Sequence, residues 1–330
     1  MTETTGVRGA RMSHSGGTSG RPALRGGQGN ASPARRQRLQ APGLPWILPA
    51  LVLGVGLIYY CIGYTGYMST LNWDGASPNP ESVGLNNYVR IFTSDPVFWK
   101  AVWHTVVFFV VTFVAQTALG VIFAVMMHSR IKLGILYKVI VFVPVVLAPA
   151  IMAPVFRQMF SINGQFNWLL EHVGLGALVQ PWIGQESTAL PVIMAITIWQ
   201  WTGLTFVLYF AAMSQIDQSM LEAARIDGAG NFRTLVSIIW PSLRGTTVAL
   251  AILGAIGALK TFDVPWLVTI AGPNNATQFL GTYIYQMTIQ LAHVGYGAAL
   301  SIILLLVALT IAIILQVVGR ERTREKKGAR

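Results

Sequence analysis

The sequence predicts an all-α integral membrane protein with six membrane-spanning helices, and three observations carry that prediction. Of 330 residues, 53% are hydrophobic and only 11% are charged, against about a quarter charged in soluble domains. Six apolar runs are long enough for a hydrocarbon core that takes about 20 residues of helix to cross. They are Leu44 to Tyr64, Val102 to Met127, Leu133 to Val155, Ala189 to Met213, Thr246 to Ile270 and Gly297 to Val318. Lysine and arginine concentrate in the segments that fall on one side of such a six-span chain.

Residues 1–43 are rich in Gly, Ser, Arg and Pro and poor in large apolar side chains. They cannot offset their ordering entropy by burial, which predicts a disordered, basic cytoplasmic tail. A signal peptide would place a short apolar run within about the first 15–30 residues and end in a cleavage site. Here the run starts later and is long, so the first span is expected to be retained. The third run carries Pro144, Pro149 and Pro154. A kink is expected there, with the freed carbonyls satisfied by neighbouring helices or water. The spans form one domain over 44–319, followed by a second basic cytoplasmic tail over 320–330.

Orientation follows from the basic residues. The amino-terminal tail holds seven arginines and the carboxy-terminal tail six basic residues. Arg130 and Lys132 follow the second span, and Arg225, Arg233 and Arg244 lie between the fourth and fifth. The opposite loops hold only Arg90, Lys100 and Arg157. Both termini are therefore predicted to be cytoplasmic in a multi-pass cell-membrane protein. Trp73, Trp99, Trp103, Trp168 and Trp182 fall at the outer loops and their edges, where they serve as interfacial anchors or as loop cores. The net charge of +11 is accounted for by orientation. The basic residues are not interleaved with base-stacking aromatics, so nucleic acid is not an expected partner. Cys61 lies alone in the first span and the five histidines are scattered, which leaves no disulfide framework and no metal site.

The one long polar interruption is the loop over 214–244. Asp217 suits an N-cap and Gly228 the left-handed position that ends a helix of about ten residues. After a turn, Phe232, Leu235, Val236 and Ile239 recur at the spacing of one apolar helical face. Pro241 is expected to kink or restart the chain. Ala223 and Ala224 allow a partner surface to approach closely. Within this loop, Glu222-Ala223-Ala224, three residues, Gly228, nine residues, Ile238, one residue and Trp240-Pro241 resembles the EAA loop of the membrane subunits of binding-protein-dependent ABC importers. The departure is Trp240, where that family usually has leucine. The wording EAARIDGAG, with Thr261-Phe262-Asp263 and the later GPNNAT and GYGAALS stretches, is similar to the carbohydrate-uptake branch, in particular the first permease of a pair. The likeness runs from about Pro45 to Gln316.

The resemblance implies a type I ABC importer permease fold, with cytoplasmic coupling helices between the fourth and fifth spans. It implies a second homologous permease, cytoplasmic ATP-binding subunits and an extracytoplasmic solute-binding protein as partners, besides membrane lipid. Onto this sequence it assigns ATPase coupling to Glu222, Ala223, Ala224, Arg225, Asp227, Gly228, Ile238 and Pro241. No cofactor and no enzymatic activity are expected. The chain has no Walker A loop, no zinc-protease or hydrolase motif and no cluster of intramembrane carboxylates.

Polar residues within spans are costly and become candidates for the solute path. In the fourth span these are Trp199, Gln200, Trp201 and Thr202, flat apolar faces beside amide and hydroxyl groups, of which one or two should touch solute. In the fifth they are Lys260, Thr261, Phe262 and Asp263. Lys260 and Asp263, three apart on one helical face, form either a self-neutralising pair or part of the path, and in the resembled family this helix contributes to the sugar pocket. The expected function is a permease for a mono- or oligosaccharide or a related polyol phosphate. The alternatives are a permease for amino acids or peptides, and an ion-coupled secondary transporter.

Overall fold

The computed structural model describes residues 44–128 and 134–328. The expected tail over 1–43, and Arg130 and Lys132 of the orientation argument, lie outside the described residues. The chain divides into two units, Met1–Leu53 and Gly54–Arg330. Of the first, the described part is the opening of one helix, and the rest of the architecture belongs to the second.

Helix α1 spans Leu44–Met68 and is followed by a minimal antiparallel pair, β1 (Leu71–Asn72) with β2 (Glu81–Ser82), in which Leu71 faces Ser82. Then come α2 (Asn86–Ser94), α3 (Pro96–His128), α4 (Gly134–Val146), α5 (Pro149–Met159), α6 (Gln165–His172) and α7 (Glu186–Met213). The polar loop forms α8 (Gln218–Ile226), α9 (Asn231–Thr234), a π turn over Leu235–Ile239 and α10 (Trp240–Ser242). It is followed by α11 (Arg244–Leu259), α12 (Asp263–Thr269), α13 (Leu280–Tyr285) with a second π turn over Gln286–Gln290, and α14 (Val294–Gly328). Among the described residues four helical stretches are apolar and long enough to cross a membrane: Ile47–Met68, Pro96–Met127, Glu186–Met213 and Val294–Ile314. Two bent pairs bring the number to six if each is one span.

Two breaks correct the sequence reading. The third span is broken rather than kinked: α4 and α5 meet at 95°. Pro149 lacks the N–H that would continue the ladder. The Leu147 carbonyl loses its helical donor at the break because the Ile151 amide turns to Ala148 instead, and Gln200 of α7 donates to it from Nε2 at 3.1 Å, so a neighbouring helix meets a carbonyl freed there. The same two helices touch at Gly203, where an added Cβ would stand 2.3 Å from the Val141 carbonyl oxygen. The fifth span, expected over Thr246 to Ile270, ends instead at Leu259. Pro265 explains the break, because a continuing helix would set its ring against the Thr261 carbonyl. In the first turn of the new helix α12 its missing N–H costs nothing.

One end of the helices is pinned by Asp95. Its Oδ1 accepts from the Val97 and Phe98 amides at 2.9 and 3.0 Å, which caps α3. Its Oδ2 accepts from the hydroxyls of Tyr283 and Tyr296, on α13 and α14. Asp95→Ala removes the cap and orphans two buried hydroxyls, at about 1 kcal/mol for the cap and 1–3 kcal/mol for each group. We expect a large drop in the thermal midpoint of the purified chain by scanning fluorimetry, and a smaller one for Asp95→Asn, which keeps an acceptor.

Candidate translocation cavity and coupling loop

A cavity of about 410 Å³ lies between α3, α7 and α11 and is closed on one side by the break between α11 and α12. Its wall includes Gln200 and Trp201 of α7 and the whole of Lys260, Thr261, Phe262 and Asp263. Six of the eight residues expected on the path are thus brought together. Trp199 is not: its ring packs edge-on against Phe156 at 5.2 Å. Thr202 is buried and donates to the Ile198 carbonyl of its own helix. Four consecutive helical residues fan through about 300°, so they cannot share one wall.

The break is the polar end of the cavity. Lys260 is the C-cap of α11 and Asp263 opens α12, so the two do not share a helical face. Among the described residues the only ion pair joins Lys100 to Glu186 at 3.9 Å, so of the two readings of Lys260 and Asp263 the self-neutralising pair on one helical face is not formed. Non-helical backbone within a membrane is tolerated where protein buries it or a cavity hydrates it. Here α13 approaches closely, with the Thr261 carbonyl 3.0 Å from where a Cβ on Gly281 would stand. Phe262 is held in an aromatic cluster with Trp266 and Tyr285, at ring distances of 5.9 and 5.3 Å.

On α3 the structure adds two polar residues that the sequence reading passed over, Gln116 and Thr117. Gln116 donates from Nε2 to the Thr197 carbonyl at 3.2 Å, leaving its oxygen free to accept. Thr117 is buried and its hydroxyl has no partner. By contrast, Thr112, Thr197 and Thr205, also on the wall, each donate to a carbonyl one turn back. Such a hydroxyl is costly to leave unmet, which singles Thr117 out from the other threonines of the wall.

At the other end of α7, α8 forms as expected. Asp217 caps it, accepting from the Ser219 amide at 3.0 Å. That bond holds the Asp217 carboxyl below the usual carboxylate range. The cap is therefore complete at neutral pH and is lost only as pH falls through the lowered value. At the far end Gly228 takes φ +74°, with Ala229 N–H to the Ala224 carbonyl at 2.9 Å and Gly228 N–H to Arg225 at 3.1 Å, a Schellman closure. Leu221 and Ala224 are buried, and Leu221 joins a core with Met213, Ile239 and Leu243. Glu222, Ala223, Arg225 and Asp227 point outward, and Glu222 has no ion-pair partner among the described residues.

The second half of the loop departs from expectation. Phe232 and Val236 are exposed while Leu235 is half-buried and Ile239 buried, so the four apolar positions do not form one face. The π turn over Leu235–Ile239 holds an extra residue per turn and rotates everything after it. It ends beside Pro241, which removes one N–H from the ladder. The 65° bend comes at Leu243, two residues beyond the proline expected to cause it. Ile226, 86% exposed, and Phe232, 78% exposed, leave apolar surface on an otherwise polar loop.

Residues 116–324 match the family model described as the binding-protein-dependent transport system inner membrane component. The chain is 31% identical over 317 residues to the diacetylchitobiose uptake system permease protein of Streptomyces coelicolor, covering 91% of this chain and 88% of that one. It is 31% identical over 281 residues to the trehalose/maltose transport system permease protein of Thermococcus litoralis, covering 85% and 94%. Its fold is similar to a chain of a bacterial ABC transporter involved in the import of the acidic polysaccharide alginate, with a TM-score of 0.71 at 23% identity over 85% of this chain and 94% of that one. The chain belongs to the binding-protein-dependent transport system inner membrane component family: it is an ABC transporter permease of type I fold, a conduit rather than an enzyme.

Proposed function

We propose that this permease carries a carbohydrate, a mono- or oligosaccharide or a related polyol phosphate, through the cavity between α3, α7 and α11. The observation that carries the proposal is the cavity wall itself. Trp201 lines it together with Gln116, Gln200 and Thr117, an aromatic ring beside two amides and a hydroxyl. Sugars present C–H faces to aromatics and hydroxyls to such groups. The named substrates of the two relatives, diacetylchitobiose and trehalose/maltose, support the same class.

In this reading a second, homologous permease completes the path, and an extracytoplasmic binding protein delivers the solute. Cytoplasmic ATP-binding subunits dock on the exposed side of α8, where Glu222, Ala223 and Arg225 meet them, with Asp227 and Gly228 fixing the turn and Ile238 and Pro241 bracing it. Both termini and this loop are cytoplasmic. A cysteine at Ser237 is then shielded from an impermeant thiol reagent added outside, and one at Glu171 reacts with it. The opposite pattern overturns the orientation.

The test of function is uptake into proteoliposomes holding the chain with its associated subunits, with ATP enclosed. Vanadate-sensitive accumulation of a sugar supports the reading. Accumulation abolished by ionophores but not by vanadate points to an ion-coupled carrier, and vanadate-sensitive uptake confined to amino acids or peptides changes the substrate class. Thr117→Val deletes one hydroxyl at nearly constant volume. A lost hydrogen bond of about 0.5–1.5 kcal/mol raises the apparent KM for uptake roughly two- to tenfold, with no loss of thermal stability. An unchanged KM removes Thr117 from the solute's partners.

A further inference from the structure

Helix α2 has three distinct sides. Ile91 is fully buried, Tyr88 packs beside it, and the Tyr88 hydroxyl meets Ser69 Oγ at 2.7 Å. Asn87 donates to the Ser69 and Leu71 carbonyls at 2.9 and 3.0 Å. These contacts fix the helix rotationally. On the side they leave free stand Val89 and Phe92, preceded by the N-cap residue Leu85, and all three are exposed. Asn86, Arg90 and Thr93 occupy the remaining arc. An apolar arc on a short helix of a protein with ample core is unexplained by the packing of the chain itself.

The arc does not stand alone. Phe92 meets Phe98 edge-on at 5.7 Å and Trp99 at 6.3 Å, and Trp99 Nε1 donates to the Phe92 carbonyl at 3.2 Å. From Trp99 an exposed stripe continues down α3 through Trp103, Val106, Val110 and Val114, the spacing of one helical face. Val106 onward lies within the span Pro96–Met127, at depths where an exposed valine stripe meets hydrocarbon or another helix. The two tryptophans sit at the end of that span, the position of the interfacial aromatic belt. Phe92 is joined to Trp99 by direct contact, which carries α2 to the same end of that span.

We infer that α2 is an interfacial helix, its Leu85, Val89 and Phe92 seated in the lipid headgroup boundary as the continuation of the bilayer-facing stripe of α3. The partner is the membrane surface, and assigning it to the outer leaflet rests on the orientation proposed above. The helix ties that surface to the Asp95 pin, which follows α2 directly and holds α13 and α14.

The test uses Cys61→Ser chain bearing a single spin-labelled cysteine at Val89 or at Asn86, purified with its associated subunits in nanodiscs of phosphatidylethanolamine and phosphatidylglycerol. Power saturation compares collisions with oxygen, which partitions into lipid, and with a water-soluble nickel chelate. We expect oxygen to dominate at position 89 and nickel at position 86, a reversal within one turn of one helix. Nickel dominating at both places the arc in water and overturns the inference. Shielding of position 89 from both reagents, relieved when the chain is isolated from its sister subunit, assigns the arc to a protein contact and overturns it as well. Shielding that appears only on adding the binding protein does the same. The leaflet is read separately, from the reaction of Asn86→Cys with an impermeant thiol reagent. Labelling from the inside alone overturns the orientation and leaves the contrast between 89 and 86 to decide whether α2 lies on lipid.

Discussion

Replacing Gly203 with valine is expected to abolish the folded permease. At this position α7 lies so close to α4 that a Cβ would stand 2.3 Å from the Val141 carbonyl oxygen and 3.0 Å from Phe142 Cα. Both neighbours are backbone, so neither can swing aside as a side chain would, and α4 must move bodily. Small residues at such crossings are how membrane helices approach closely where lipid offers no hydrophobic drive between them. Even Gly203→Ala, by overpacking of this kind, costs about 1–3 kcal/mol. Displacing α4 also strains the Gln200 bond to the Leu147 carbonyl nearby, and an orphaned buried group adds about 1–3 kcal/mol. Against a total stability of about 5–15 kcal/mol, the alanine variant should melt well below wild type, and the valine variant should elute as aggregate in size-exclusion chromatography. Wild-type melting of both variants would show that α4 is free to shift and that the crossing is looser than its geometry.

The second large effect concerns transport without loss of fold. Gly228→Val places a β-branched residue at φ +74°, where the left-handed conformation costs an L-residue about 1–2 kcal/mol. Nothing lies within 4 Å of the added Cβ, so the penalty is conformational and local to the end of α8. We expect normal membrane insertion and loss of solute-stimulated ATP hydrolysis, with Gly228→Asn largely restoring it because asparagine tolerates this position. Ile226→Asp separates docking from turn geometry. Its side chain is almost fully exposed and contributes nothing to the chain's own core, so the thermal midpoint should stay put while the ATP-binding subunit no longer co-purifies. Wild-type co-purification and coupled hydrolysis in both Gly228→Val and Ile226→Asp would remove α8 as the coupling element.

What could be read from the sequence depended on how local its cause was. The ends of α8 were legible because Asp217 and Gly228 act on backbone groups within four residues of themselves. The span count was legible from apolar runs, yet the same counting hid the break after Leu259, since Lys260 and Asp263 are only two charges in a long run. Pro265 was the available signal, and it was overlooked because it sits two residues inside the new helix rather than at the break. Gln116 and Thr117 were missed although the cost of polar groups in a span had already marked Gln200 and Lys260. The π turn at Leu235–Ile239 has no local signature, and so the face that period 3.6 assigned to Phe232 and Ile239 dissolved. That Trp199 to Thr202 could not all face one cavity was legible from the helical fan of consecutive residues, but which two would face it depended on the position of α4 and α5, which no residue of α7 encodes.

The hydrogen bond from Gln200 to the Leu147 carbonyl also sets an order on biogenesis. The donor lies 53 residues after the acceptor, so at about 5–20 residues per second it is synthesised roughly 3–10 s later. Until then the apolar stretch holding α4 and α5 has no such donor for the Leu147 carbonyl at its break. In hydrocarbon such a group is expensive to expose. The sharp turn between the two helices is therefore a late event of assembly, completed when the following long helix arrives beside it. A nascent chain halted before Gln200 emerges should still carry that stretch as a straighter, less protected segment.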